Sequence, residues 1–247
     1  MLTSLNPLIK LAVCLVWMVA CIAVFDLRLQ LAAIVIVVLA LIFLQGVRPL
    51  VVLALMVPFA LFGFGFLTTN LLFRQEAEFA TRMAGQALFA SPAFSAGFTL
   101  FLRAIAIGLI SAFFALTTDP GAFVRALMAY CRLSPRFGYA LFSVLQFVPD
   151  LAAEARQIRI ARAMKQGRPP RRFVGPVEAA GLLVPLLAFA IRRAGRAAIA
   201  MEARGLARGR ARTLTHVPAF GRGDTAFALA ASLVLALLVG MLVRYPV

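Results

Sequence analysis

The sequence Ala203-Arg204-Gly205 places one arginine between two small residues. A guanidinium forms charge-assisted and often bidentate hydrogen bonds with carboxylates, and small neighbours leave its approach to a narrow groove unobstructed. Glycine is frequent just beyond the end of a helix, so we expect Arg204 at a helix C-terminus, where a cation is favourable. The spacing therefore predicts an accessible cationic helix end with the capacity to bind carboxylates in a narrow groove.

Four further arginines each have two interpretations. Arg156, Arg159 and Arg162 follow one another at three-residue spacing on one helix face, either as docking cations or as a solvated surface. Arg103 lies inside an apolar stretch, where a charge costs on the order of 3 kcal/mol on insertion scales. Its side chain either extends toward the outer membrane surface or makes a functional contact.

Several kinds of chemistry are excluded by what this sequence lacks. A P-loop requires Gly-Lys followed by Ser or Thr, whereas Lys10 is followed by Leu11 and Lys165 by Gln166. None of the nine acidic residues lies within a predicted span, unlike the carboxylates of proton relays. His216 is the only histidine. We therefore expect no enzyme activity, no cofactor and no metal site in this chain.

The composition predicts a membrane-spanning fold. Of the 247 residues, 63% are hydrophobic and 14% are charged, against about 45–50% and about 25% in soluble domains. A span needs about 20 mostly apolar residues, and five stretches provide them: 8–25, 29–45, 50–69, 94–117 and 225–243. We predict an all-α polytopic membrane protein with about five transmembrane helices.

The positive charges are concentrated in one part of the chain. Eighteen of the 25 Lys and Arg residues lie between Asp119 and Gly223, with five of the nine acidic residues. By the positive-inside rule, this region and the N-terminus are cytoplasmic, whereas the loop 70–93 and the C-terminus are outside. Basic residues gain about 1 kcal/mol each at an anionic leaflet, so the net charge of +16 requires no nucleic-acid partner.

Helical periodicity continues beyond the fourth span. Residues 136–166 and 177–204 mix apolar residues with arginines at helical intervals, and consecutive prolines separate the two segments. We expect two long cytoplasmic helices whose apolar runs are interrupted by Pro149 and Pro185. The predicted organisation has three parts: a transmembrane region 1–118, a cytoplasmic region 119–223 and a final transmembrane helix 224–247.

The segment 117–205 resembles the transmembrane T component of energy-coupling factor transporters, the family that includes cobalt and biotin uptake systems. The most specific motif is Ala200-Met201-Glu202-Ala203-Arg204-Gly205, which is similar to the second Ala-Arg-Gly signature of that family. Three further motifs extend the resemblance: Asn6-Pro7-x-x-Lys10, Arg103, and the Phe147-Val148-Pro149-Asp150 step before the first long helix.

The resemblance implies two coupling helices, each of which docks through its signature in a groove of one of two ATPase subunits. The first signature departs from the family pattern, because Ala163-Met164-Lys165-Gln166-Gly167-Arg168 lacks the Ala-Arg-Gly order. Arg162, Lys165 and Arg168 therefore remain alternatives for its docking cation. The implied ATPase-docking residues are Arg162, Ala163, Lys165, Gly167, Arg168, Ala203, Arg204 and Gly205, and Arg103 is the implied contact with a membrane-embedded substrate-binding subunit.

The expected function is that of a scaffold in the inner (cytoplasmic) membrane for an ATP-driven importer of a vitamin or transition metal. The chain would link two ATPase subunits, identical or different, to the substrate-binding subunit within the lipid bilayer. One alternative is a basic membrane-surface adaptor without transport activity, whose affinity depends on total charge and salt. Another is a secondary transporter that acts alone, which the lack of acidic residues within the spans disfavours.

Overall fold

The computed structural model describes residues 5–73, 92–167, 169, 174–205 and 217–244. We number its helices α1 (Pro7–Ala23), α2 (Leu27–Leu39), α3 (Pro49–Phe73), α4 (Pro92–Thr117), α5 (Pro120–Tyr130), α6 (Pro135–Lys165), α7 (Pro176–Ala203) and α8 (Arg222–Arg244). A π-helical turn, Ala40–Leu44, continues α2. The described residues contain no strand, and the all-α membrane fold predicted from the sequence is confirmed.

The chain divides into two units. The first comprises Met1–Asp119 and Pro218–Val247 and contains α1–α4 and α8. The second comprises Pro120–Val217 and contains α5–α7. We call them the membrane unit and the basic unit. The predicted outer loop 70–93 lies largely outside the described residues, as do Arg168 and His216.

Among the described residues of the membrane unit, four helical segments are long and apolar enough to cross a bilayer: Leu27–Leu44, Pro49–Thr69, Phe94–Thr117 and Arg222–Leu242. The remaining predicted span, 8–25, forms α1, whose 17 residues are at the short end of the range of about 17–25 that a span uses. The start of α1 is fixed by Asn6, whose Oδ1 accepts a hydrogen bond from the Leu8 N–H at 3.1 Å.

Helix α4 lies at the centre of the membrane unit and packs against α1, α2 and α3. Its closest approach to α3 depends on two glycines. A Cβ atom at Gly63 would lie 2.9 Å from the Phe101 carbonyl oxygen, and one at Gly108 would lie 2.2 Å from the Phe59 ring. Small residues at these positions let the two helices come together, as is usual where lipid supplies no hydrophobic drive for association.

We expect Gly63→Leu to destabilise the membrane unit, because its new side chain would meet the backbone of α4 rather than a flexible side chain. Overpacking of this kind typically costs about 1–3 kcal/mol. The measurement is the apparent melting temperature of the purified chain in detergent. Gly65→Leu is the matched control, since Gly65 lies on the same helix and faces open space. Equal melting temperatures for the two variants would contradict the close α3–α4 contact.

The two long helices of the basic unit are α6, with 31 residues, and α7, with 28 residues. They correspond to the predicted segments 136–166 and 177–204. Pro149 and Pro185 both lie inside continuous helices. The predicted position of Phe147–Asp150 before the first long helix is wrong, because these residues are part of α6. A proline removes one hydrogen bond, but its φ angle is compatible with a helix, and the contacts between α6 and α7 offset that loss.

Candidate functional site

The end of α7 has the geometry that the sequence predicts. The helix ends at Ala203, and the N–H group of Arg204 donates to the Ala200 carbonyl at 3.2 Å. Gly205 adopts φ +76°, a left-handed conformation that favours glycine, and its N–H donates to the Glu202 carbonyl at 2.8 Å. Ala203 and Arg204 are exposed and Gly205 is half-buried, so the cation lies on an accessible helix end.

The end of α6 has a similar backbone turn. The helix ends at Lys165, and the N–H of Gln166 donates to the Arg162 carbonyl at 3.0 Å. Gly167 adopts φ +64°, and its N–H donates to the Met164 carbonyl at 3.2 Å. Lys165 and Gly167 are exposed. Among the described residues of the basic unit, α6 and α7 thus both end in a left-handed glycine, and we call these ends the α6 tip (residues 163–167) and the α7 tip (residues 203–205).

The two tips differ in where they carry the cation. When the left-handed glycines Gly167 and Gly205 are superposed in register, Gln166 corresponds to Arg204 and Lys165 to Ala203. Alignment of the two Ala-Met pairs, Ala163-Met164 and Ala200-Met201, gives a register that differs by one residue from the register of the two glycines. Because successive helical residues are about 100° apart around the axis, Lys165 and Arg204 project in different directions from equivalent turns.

The arginines of α6 are not simply a solvated face. Arg159 Nε forms an ion pair with Glu178 Oε1 at 2.7 Å, and Arg162 Nη2 donates to the Gly181 carbonyl at 2.8 Å. Gly181 has no side chain to obstruct this contact, since a Cβ there would lie 2.9 Å from Arg162 Nη1. The solvated-surface interpretation is therefore wrong for Arg159 and Arg162, which join α6 to α7, and it fits only the exposed Arg156.

A second contact between α6 and α7 lies further along the pair. Arg193 forms an ion pair with Asp150, and its guanidinium carbon lies 5.0 Å from the centre of the Phe147 ring. Since Arg162 contacts Gly181 while Asp150 contacts Arg193, the two helices run antiparallel. The α6 tip therefore lies beside the start of α7, and the α7 tip lies about 40 Å away, at 1.5 Å per residue over 28 residues.

We expect reversal of one charge between the two helices to weaken their association. Arg159→Glu would place two carboxylates together where the side chains of Arg159 and Glu178 are 18% and 28% exposed, and we expect a cost below the about 3–5 kcal/mol of breaking a fully buried pair. The measurement is the apparent melting temperature of the purified chain. The exchanged pair, Arg159→Glu with Glu178→Arg, should recover most of the loss. An unchanged melting temperature for the single variant would show that the ion pair contributes nothing.

Arg103 contacts residues that follow α1 in the membrane unit. Its Nη2 donates to the Val24 carbonyl at 3.2 Å, and its guanidinium carbon lies 4.2 Å from the centre of the Phe25 ring. Gln30 Nε2 donates to the nearby Cys21 carbonyl at 2.8 Å, so two side chains satisfy carbonyls at the end of α1 that have no helical partner. Arg103 also lines a cleft of about 610 Å³ between α3 and α4. Its contact with a substrate-binding subunit stays a prediction.

No local sequence pattern indicates the partners of Arg103, Arg159 and Arg162, although the types and spacing of all three residues marked them as candidates. In the part of the chain that the structure describes, no three His, Cys, Asp or Glu side chains are grouped in a way that could hold a metal ion. The two tips are therefore the features with the clearest capacity to bind a partner, through exposed cations at helix C-termini.

Comparison with known proteins gives one family match. The model of the CbiQ family, described as cobalt transport protein, matches residues 1–215. This range contains Arg103, the α6 tip and the α7 tip. No curated protein matches the chain.

Proposed function

Because the chain belongs to the CbiQ cobalt transport protein family, we propose that it is the transmembrane scaffold of an ATP-driven importer and couples ATPase subunits to a substrate-binding subunit. Membership of this family confirms the resemblance identified in the sequence. The chain is thus a membrane component of a transporter. Its energy source, its cargo, which we take to be a vitamin or a transition metal, and its individual partners belong to the proposal.

The observation that carries the proposal is the pair of tips on one antiparallel helix pair. Each tip has an exposed cation within two residues of a left-handed glycine, and about 40 Å of helix separates the tips, at 1.5 Å per residue. This distance is too large for a single binding site on one small domain to contact both tips. Two sites on two ATPase subunits fit this arrangement, and acidic grooves in those subunits would complement Lys165 and Arg204.

ATP hydrolysis is assigned to the partners. Neither lysine of this chain stands in the Gly-Lys-Ser or Gly-Lys-Thr context through which a P-loop holds phosphates. Closure of two ATPase subunits would move the tips, and the antiparallel pair, tied by Arg159–Glu178 and Asp150–Arg193, would transmit that motion as one lever. In this proposal the basic unit is cytoplasmic and the C-terminus lies outside the inner membrane, as the positive charges favour.

The experiment that tests the proposal is reconstitution with omission of single components. Liposomes would contain the chain, its candidate ATPase subunits and a candidate substrate-binding subunit, with uptake of Co²⁺ and a panel of water-soluble vitamins as the readout. We expect uptake only with ATP and with all components present. Uptake by the chain alone would support a secondary transporter instead. Partner binding that depends on salt but on no particular arginine would support the membrane-surface adaptor.

A further inference from the structure

Four polar residues of the membrane unit are almost completely buried near the start of α1. Asn6 is 0% exposed, Lys10 1%, Thr117 1% and Asp224 3%. Charged residues are very rarely buried to this extent unless they are paired. Burial of a polar group is costly without a hydrogen bond. The hydrogen-bond partners of these side chains therefore show which segments of the chain the buried residues connect.

Lys10 binds the point at which the chain leaves the membrane unit. Its Nζ donates to the Thr117 carbonyl at 2.8 Å. Thr117 is the last residue of α4, and the unit ends two residues later at Asp119. Gln45 Nε2 donates to the preceding carbonyl, that of Leu116, at 3.3 Å. Side chains from α1 and from the end of α2 thus satisfy carbonyls that the α4 helix leaves unpaired.

Asn6 binds the point at which the chain returns. Its Nδ2 donates to the carbonyl of Pro218, the first residue of the returning segment, at 3.1 Å. Its backbone N–H donates to Asp224 Oδ1 at 2.7 Å, while the Gly221 N–H donates to Asp224 Oδ2 at 2.8 Å. Asp224 therefore binds both the residue before α1 and the turn before α8. The charges of Asp224 and Lys10 also attract each other.

We propose that Asn6, Lys10 and Asp224 form a polar clamp through which α1 holds both connections between the membrane unit and the basic unit. The chain crosses between the units only at 119–120 and 217–218, and the clamp binds residues next to each crossing. Displacement of the basic unit would then move α1, α4 and α8 together instead of bending the connecting segments. This inference rests on the proposed coupling function and assigns these residues a positioning role in it.

A coupling role and a purely stabilising role predict different results. If the clamp only stabilises the fold, its loss reduces the amount of active complex, and ATP hydrolysis and uptake fall in proportion. If the clamp transmits motion, hydrolysis continues while uptake fails. The ratio of substrate transported to ATP hydrolysed therefore separates the two roles, because it does not depend on how much complex is present.

The test uses the reconstituted complex with Lys10→Met, which keeps the length of the side chain and removes its donor, and with Asp224→Asn. We expect ATP hydrolysis within about twofold of the wild type and at least a tenfold lower ratio of uptake to hydrolysis. Lys10→Arg, which retains a donor, should recover part of the ratio. Arg48→Met, at an exposed position between α2 and α3, is the control and should leave it unchanged. A wild-type ratio in both clamp variants would overturn the proposal.

Hydrogen exchange on the purified full chain tests the clamp without any partner. Lys10→Met should speed exchange at least tenfold in a peptide covering 112–119, and Asp224→Asn in one covering 218–225, with no change in α3. Unchanged exchange would overturn the clamp even if the transport function stands. Absence of ATP-driven uptake with the wild type would overturn the coupling role and the proposed function together. If neither variant accumulates in membranes, the residues serve assembly, which also overturns a transmission role.

Discussion

We expect Arg204→Glu to abolish ATP-driven uptake while the chain still accumulates in the membrane. Arg204 is exposed at the C-terminal end of α7, and we expect its replacement to leave the ion pairs Arg159–Glu178 and Asp150–Arg193 in place. A carboxylate at this position would face an acidic groove in the partner and would also be unfavourable at a helix C-terminus. Loss of one member of a close charge pair at an interface costs about 2–5 kcal/mol, and repulsion adds to that, so we expect affinity to fall at least about 100-fold.

The matched control for this variant is Arg196→Glu. Arg196 is exposed on the same helix, eight residues before Arg204, and both variants replace one arginine with glutamate, so they change the net charge equally. Uptake is measured in liposomes that contain equal amounts of each complex. We expect near wild-type uptake with Arg196→Glu. Equal loss in both variants would show that total charge, rather than the tip, determines the interaction with the ATPase.

Lys165→Glu should reduce ATPase binding at the α6 tip, whereas Arg162→Ala should lower the stability of the helix pair. Arg162 already donates to the Gly181 carbonyl within the basic unit, while Lys165 is exposed beside the left-handed Gly167. Of the sequence alternatives within the described residues, Lys165 is therefore the docking cation that the geometry favours. We expect about a tenfold or greater loss of affinity for the purified ATPase with Lys165→Glu, corresponding to about 1.4 kcal/mol or more.

Two measurements on each variant separate these roles. Affinity for the ATPase is titrated with the purified chain, and the apparent melting temperature is recorded on the same preparation. Lys165→Glu should lower the affinity for the ATPase and leave the melting temperature unchanged. Arg162→Ala should lower the melting temperature. If Arg162→Ala weakens binding without a change in melting temperature, Arg162 rather than Lys165 is the cation of the α6 tip.

Local sequence signals were sufficient to predict the backbone conformation of the α7 tip. Glycine at the end of an amphipathic segment predicts a left-handed cap, and Gly205 adopts it. The same signal at Gly167 sets the register of the α6 tip, although the repeated Ala-Met pair indicated a register one residue away. Helical periodicity also predicted the two long helices, which contain Pro149 and Pro185 without ending at either.

Long-range partners could not be predicted from one sequence. Lys10 and Thr117, which form a hydrogen bond, are 107 residues apart in the sequence, and Asn6 and Asp224 are 218 residues apart. No local sequence pattern indicates which buried groups will pair. Arg103 was identified as a charge within a span, but its binding to the end of α1 depends on how α4 packs. The π-helical turn Ala40–Leu44 follows an ordinary apolar run and likewise has no sequence signature.

The measurement that tests coupling most directly is co-purification of the ATPase subunits with the chain from membranes. Wild type, Arg204→Glu and Arg196→Glu would be compared at equal recovery of the membrane subunit. We predict that the wild type and Arg196→Glu retain the ATPase subunits and that Arg204→Glu loses them. Retention in all three, or loss in both variants, would contradict docking through the α7 tip and with it the proposed link between ATP hydrolysis and this chain.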